Sequence, residues 1–387
     1  MKHRYWAVLL AIPASLCGQD LGAVKLQFHG VVAQGGLLSS HNNYLSAKTS
    51  QGSTQWTEAA VNLSASIFDN LRVGAQVHTY RLGELGQLKL DVDWAYGDYQ
   101  LREWIGLRAG KVKTPLGLFN DTQDIDNLHL WSLLPQGIYP ADNRSWTLAH
   151  TGGDLYGRVA VPAGFGSVSY QGYFGSRTAD SDGGYFKSAA ETGLPVQPGA
   201  SGRLYGGDVR WRTPLRGLTA GGSVGLADVS GKVTISTIPA PVTIRSTSDT
   251  NTALYGEYER GKFYAAGEFR RRIWNLSLVD LGIPAVLTDS RAWFVMGAYR
   301  VRPKLNLGAY YNHYKLARLE GVWPIRPTDT YLHDWVVAAR IDPNPYLYFK
   351  LEAHYLDGSA IGFYRSTNPG GIDRLTRLLV AKVGFSF

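Results

Sequence analysis

The chain has 387 residues, 44% of them hydrophobic and 18% charged, a formal net charge of +8 and a single cysteine, Cys17. One cysteine excludes a disulfide framework and a cysteine–zinc site, and no run beyond the amino-terminal segment is long and apolar enough for a membrane helix. The 45 glycines and 23 tyrosines against two methionines, at a mean hydropathy of −0.15, do not fit a soluble α/β enzyme. The Arg and Lys residues are spread along the chain rather than clustered, which argues against a nucleic-acid partner.

Lys2, His3 and Arg4, followed by an apolar run to Leu16 and then small and polar residues, read as a secretory signal over residues 1–22. Cleavage is expected between Cys17 and Ala23, and bulky Leu16 disfavours a lipid anchor on Cys17. From residue 24 onward, short runs alternate apolar and polar residues, the pattern of strands with one face apolar and the other polar. The expected strands span residues 24–34, 56–68, 71–81, 87–96 and 101–111, with turns at 69–70 and 97–100. After a long interruption they resume at 154–161, 167–175, 203–212, 218–229, 253–259, 262–272, 291–302, 304–315, 334–341, 346–355 and 376–387. Segments 230–251, 274–290 and 316–332 read as loops.

About sixteen strands, joined alternately by short turns and long loops, predict one all-β domain over residues 23–387: a transmembrane antiparallel β-barrel of a Gram-negative outer membrane. Lipid would face its outside, with long loops outside the cell and both termini in the periplasm. The sharpest single feature is the last strand. Leu379, Ala381, Val383, Phe385 and Phe387 form an unbroken alternating face ending in an aromatic carboxy terminus. Phe385 and Phe387 are therefore read as a signal for the barrel-assembly machinery. Trp56, Tyr96, Tyr299, Tyr346 and Tyr355 lie near strand ends, where aromatic girdles meet the membrane interfaces.

The interruption, about residues 111–153, is rich in Pro, Gly, Asn and Asp, yet it carries Leu116, Leu118, Phe119, Leu128, Leu130, Trp131, Leu133, Leu134, Ile138 and Tyr139. A loop of that length and apolar content packs against something, and the lumen is the place for it. This third long loop is expected to fold inward as a constriction. The pattern as a whole resembles the Gram-negative porins, more narrowly the phosphate-selective porin O and P type and related substrate-specific porins. The local likeness is strongest at LRAGKVKTPLGLFND, residues 107–121. The resemblance implies an inward-folded third loop after the fifth strand, with trimers a common assembly. A dense Lys/Arg cluster suited to phosphate is missing from the loop, whose basic residues are Lys111, Lys113 and Arg144.

Strand parity places Arg72, Lys89, Arg102, Arg108, Arg270, Arg272, Arg300 and Arg302 on inward faces, together with Arg158, Arg210, Arg340 and Lys350. Opposite them the loop carries Asp121, Asp124 and Asp126, and charges lining a pore set its selectivity. The expected function is passive diffusion of small hydrophilic, mainly anionic solutes, without chemistry or cofactor. The same Arg and Lys residues have a second reading, as ion-pair partners that rigidify the barrel. Asp121, Asp124, Asp126 and Asn127 offer oxygens to calcium, but their spacing matches no calcium loop. Trp131, Tyr139 and Trp146 have two readings, a stacking surface for sugars or loop packing. A rival class is an outer-membrane enzyme of lipase or deacylase type, which needs a Ser–His pair. His150, His313 and His333 are available, with no Ser in a supporting context. A closed barrel acting as anchor or adhesin is the third.

Overall fold

A computed structural model describes residues 20–21, 24–179, 183–191, 193–321 and 326–387. The signal segment read at residues 1–22 therefore lies almost wholly outside the described residues. Sixteen antiparallel strands close into a barrel: β1 (Val24–Ser39), β2 (Ser53–Phe68), β3 (Leu71–Leu82), β4 (Asp91–Arg102), β5 (Ile105–Lys113), β6 (Ala149–Ala160), β7 (Ser167–Thr178), β8 (Ser201–Arg212), β9 (Leu218–Val233), β10 (Val242–Arg260), β11 (Phe263–Leu278), β12 (Ile283–Arg302), β13 (Leu305–Gly321), β14 (Tyr331–Ile341), β15 (Leu347–Gly358) and β16 (Leu375–Ser386). Each pairs with its neighbours in sequence, and β16 closes on β1 through Leu378↔Ser39 to Ser386↔Val31. A two-residue ladder, Asp20–Leu21, pairs back on the start of β1. No edge is left open, which is what a sheet needs in hydrocarbon.

The alternation that forms the strands also sorts their faces. Along β16 exposed and buried residues alternate without a break, with Leu379, Val383 and Phe385 facing lipid and Leu378, Val380 and Lys382 facing inward. The carboxy-terminal Phe387 exchanges backbone hydrogen bonds with Gly30, and its ring lies 5.7 Å from Phe28. The short turns hold two to six residues, as at Asp69–Asn70, while the long connections gather at the other end of the barrel. A short helix, α1 (Arg144–Thr147), ends the inserted loop, and a longer one, α2 (Gly184–Glu191), lies in the next.

Four details differ from the sequence reading. Segments 230–251 and 274–290 are mostly strand, and 316–332 is strand at residues 316–321 and 331–332: β12 alone has 20 residues, against the 9–11 or so a tilted strand needs to span. These polar ends project beyond the membrane and lose the apolar alternation that marks a spanning strand. The turn expected at 97–100 lies at Glu103–Trp104. An extra residue, Asp93, sits between the pairs Gln76↔Trp94 and Val77↔Val92. Such a bulge inverts facing, so Trp94 and Tyr96 turn inward rather than toward lipid. Trp56 is likewise buried inside, 2% exposed, hydrogen-bonded to Glu58, whereas Tyr299, Tyr346 and Tyr355 are exposed on the outside.

Candidate functional site

The inserted loop spans residues 114–148, after β5, and fills one side of the lumen. Its apolar residues pack on the inner wall of β10–β14: Leu118, Phe119, Leu130, Trp131, Ile138 and Tyr139 join Tyr255, Phe294, Met296, Tyr310 and Val336 in one cluster. Leu133 belongs to a second cluster with Leu332, Leu356, Leu378 and Val380. Burying such side chains stabilises by about 1.5–3 kcal/mol each, so the loop is held as a core is held. Trp131 and Tyr139 are packing residues.

Polar anchors fix its position. Asp126 is buried between Lys350, at 3.0 Å, and Lys382, at 2.9 Å, and accepts a hydrogen bond from the Tyr348 hydroxyl at 2.6 Å. Burial pushes its carboxyl up, but Lys350 and Lys382 outweigh that and hold it well below the usual range. Lys382 also reaches Glu58 at 2.9 Å. Glu352 accepts the backbone N–H groups of Ser132 and Leu133, and His354 bridges Glu352 and Asp334. Arg340 donates to the carbonyls of Asn127 and His129 at 2.6 and 2.8 Å. On the facing side Glu268 accepts the Leu118 N–H at 3.0 Å and the Tyr139 hydroxyl, while Arg270 donates to the carbonyls of Leu116 and Ile138. Burial, with Lys350 adding to it, pushes the His129 imidazole down to about 4.

The acidic residues expected to face the wall across the pore are thus bound to it. Asp124 pairs with Lys113 at 2.7 Å and accepts from Gln76. Asp121 lies 3.5 Å from Arg210. Arg144 points back to Asp93 at 2.8 Å. Among the described residues no three acidic or imidazole side chains come together as a metal site; Asp124 and Asp126 serve different lysines. Lys111 reaches the Val92 carbonyl, and Arg108 pairs with Asp98 at 2.9 Å on the inner wall. Arg72 hydrogen-bonds Ser64 near the short-turn end. Lys89 is exposed in the connection before β4, and Arg102 is exposed at the last residue before a turn. Neither belongs to a constriction: the displaced turn and the later start of β4 carry them out of the lumen. Arg302 too is exposed at a strand end.

Two cavities in the lumen flank the loop. The one toward the long loops, about 260 Å³, is lined by Arg177, Arg270, Arg272, Trp146, Tyr173 and Asn251, among others. Arg272 is held bidentately by Asp249, both contacts 2.7 Å. Arg177 stacks its guanidinium 4.2 Å from the Trp146 ring and donates to the Trp146 carbonyl, while its Nε is buried without a partner. The second cavity, toward the short turns, is about 660 Å³ and is lined by Arg210, Lys262, Arg300, Glu257 and Asp121 with others. They share no lining residue, and the segment Leu116–Phe119 runs between them. Gly117 sits there at φ +81°, where a Cβ would stand 2.3 Å from Glu268 Oε1 and 2.4 Å from Arg270 Nη2. Arg177 escaped the sequence reading because β7 was ended at residue 175; its parity with Tyr173 was the available signal.

At the loop root, Thr114 Oγ1, His150 Nδ1 and Asp154 lie in line, with contacts of 3.0 and 2.9 Å. This has the order of a nucleophile, base and orienting acid, but the His150 side chain is fully enclosed. Its hydrogen bonds pin the first residue of the loop to β6.

No protein-family model matches the sequence, and no curated protein matches it. Solved structures do. Outer-membrane expressed OmpT of Vibrio cholerae superposes with a TM-score of 0.60 at 12% identity, covering 94% of this chain and 98% of that one. The outer membrane channel DcaP of Acinetobacter baumannii gives 0.56 at 11% identity, over 94% and 98%. An anion-selective porin from Comamonas acidovorans gives 0.54 at 11% identity, over 94% and 100%. At such identity the likeness concerns the fold alone: this chain is an integral outer-membrane β-barrel of sixteen antiparallel strands.

Proposed function

We propose that the protein is an outer-membrane porin, a passive channel for small hydrophilic solutes with a preference for anions. The observation that supports this reading is the pair of cavities above and below residues 116–119, each with an arginine that forms no direct ion pair among the described residues: Arg177 in the upper, Arg300 in the lower. A cation of that kind in a water-lined passage lowers the energy of an anion there, whereas a paired one such as Arg272 contributes little field. The narrow upper cavity and its Trp146 and Tyr173 rings favour solutes of modest size. The phosphate-selective type is the less supported branch of this reading, because the loop cations Lys113 and Arg144 are each bound to a carboxylate. Enzyme and anchor readings lack a comparable observation.

Single-channel recording in a planar bilayer tests this, with the reversal potential taken under a KCl gradient. Stepwise ohmic openings with chloride preference are expected. A well-folded, heat-modifiable barrel that never conducts overturns the channel reading, and conduction with cation preference overturns the anion part alone.

A further inference from the structure

The lipid-facing side of β11–β16 carries an arrangement that the channel does not use. Arg271 on β11 stands directly opposite Arg291 on β12, and Arg291 directly opposite Lys315 on β13. All three are exposed on the outer face. Like charges placed directly opposite on neighbouring strands repel and destabilise the pairing. One carboxylate compensates: Asp289, 2.8 Å from Arg271 and 3.5 Å from Arg291. Two positive charges of the row stay unmatched among the described residues.

Their height is set by the strands. Counted from the short-turn ends Phe263, Arg302 and Leu305, the three residues lie eight, eleven and ten positions along. That is about the 9–11 residues a tilted strand uses to cross hydrocarbon, so the row sits where the outer leaflet's headgroups begin. Just below come Trp293, His313 and His333, again in direct register, with their rings in contact. Lower still, Gly297, Ala309, Val337 and Ala353 are opposite one another across β12–β15. Their small side chains leave a groove of about 1120 Å³, walled by Tyr311, Trp335 and Tyr355.

We propose that this face binds an acylated, phosphate-bearing lipid of the outer leaflet. Its phosphate lies across Arg291 and Lys315, and an acyl chain lies in the groove over Ala309 and Ala353. The missing counter-charge is thereby supplied, and the small-residue row acquires the partner its shape admits. The inference is independent of conduction.

The full-length protein in detergent, incubated with lipid A or with dephosphorylated lipid A, is examined by native mass spectrometry for retained lipid. The wild type should retain the phosphorylated form about twenty-five-fold more tightly, two cations at about fivefold each. Arg291→Gln with Lys315→Gln should abolish that preference while leaving heat-modifiability and binding of the dephosphorylated form unchanged. Ala353→Trp, which fills the groove, should weaken both forms. Equal retention of the two forms by the wild type, or an undiminished preference in the double variant, overturns the proposal. So does a stable, lipid-free oligomer cross-linked through Lys315, which would assign the face to a second copy of the chain.

Discussion

The two halves of the inner wall are built on opposite principles. From β11 to β16 the inward residues include Ala266, Ala292, Phe294, Met296, Tyr310, Val336 and Val380, all buried, and the loop is packed onto them as onto a protein core. From β4 to β8 they include Asp98, Arg108, Arg158, Gln171 and Arg210, none of them buried. The loop gives this side little cover. The difference teaches why a loop of this length stays inside a water-filled barrel: half of the lumen is not lumen but a binding face for the loop. What is left for solutes is the crescent on the other side.

The largest effect is expected from breaking the dry side's buried ion cluster. Lys350→Met with Lys382→Met leaves Asp126 enclosed without a cation, and breaking a buried pair costs about 3–5 kcal/mol. The melting temperature in detergent should fall, and the loop should become open to limited proteolysis near Asp126. Wild-type resistance in the double variant would mean that apolar packing alone holds the loop. Acidification tests the same side more gently. His129 titrates near 4 in the folded chain against about 6.5 unfolded. Its contribution is therefore complete above pH 6.5 and is lost as pH falls through 4, up to about 3 kcal/mol. Asp126, whose carboxyl is held low, does not titrate in that window. Thermal unfolding from pH 7 to 4 should show this loss in the wild type, and His129→Gln, which keeps a donor for the Thr122 carbonyl, should lack that increment.

Between the halves stands Gly117. Gly117→Ala forces a Cβ against Glu268 and Arg270 in a left-handed backbone conformation, at about 1–2 kcal/mol for the backbone alone. The loop's first segment should shift away from β11, changing single-channel conductance more than melting temperature. An unchanged conductance would place the narrowest point elsewhere.

Much of the dry half's frame was legible in sequence, since alternation fixes both the strand and its inward face. The last strand, the loop's position and the inward Arg270 and Lys350 follow from that rule. What the rule misses has two physical causes. An inserted residue such as Asp93 inverts facing locally without altering composition, which concealed Trp94 and Tyr96. Ion pairing in the lumen joins distant parts of the chain, as with Lys350 and Asp126 at a separation of 224 residues. Parity can say that both point inward but not that they meet. The loop's acidic residues therefore looked like a pore surface when most of them are anchors.

On the wet side the smallest effect is also the most diagnostic. Arg177→Gln removes a guanidinium that forms no direct ion pair among the described residues, and Asp249 keeps its bidentate partner Arg272, so stability should change by about 1 kcal/mol, the Trp146 contacts being what is lost. Chloride preference, read from the reversal potential, should drop severalfold. Arg300→Gln should act in the same direction with a smaller shift, because its cavity is wider and counter-ions screen it over about 8–10 Å. Lys350→Met, on the dry side, removes the same charge from the lumen's inventory yet should leave selectivity nearly unchanged, since Lys350 is buried under the loop and lines neither cavity. If Lys350→Met and Arg177→Gln shifted the reversal potential equally, the whole wall would act as one charged surface and the division into two halves would fail.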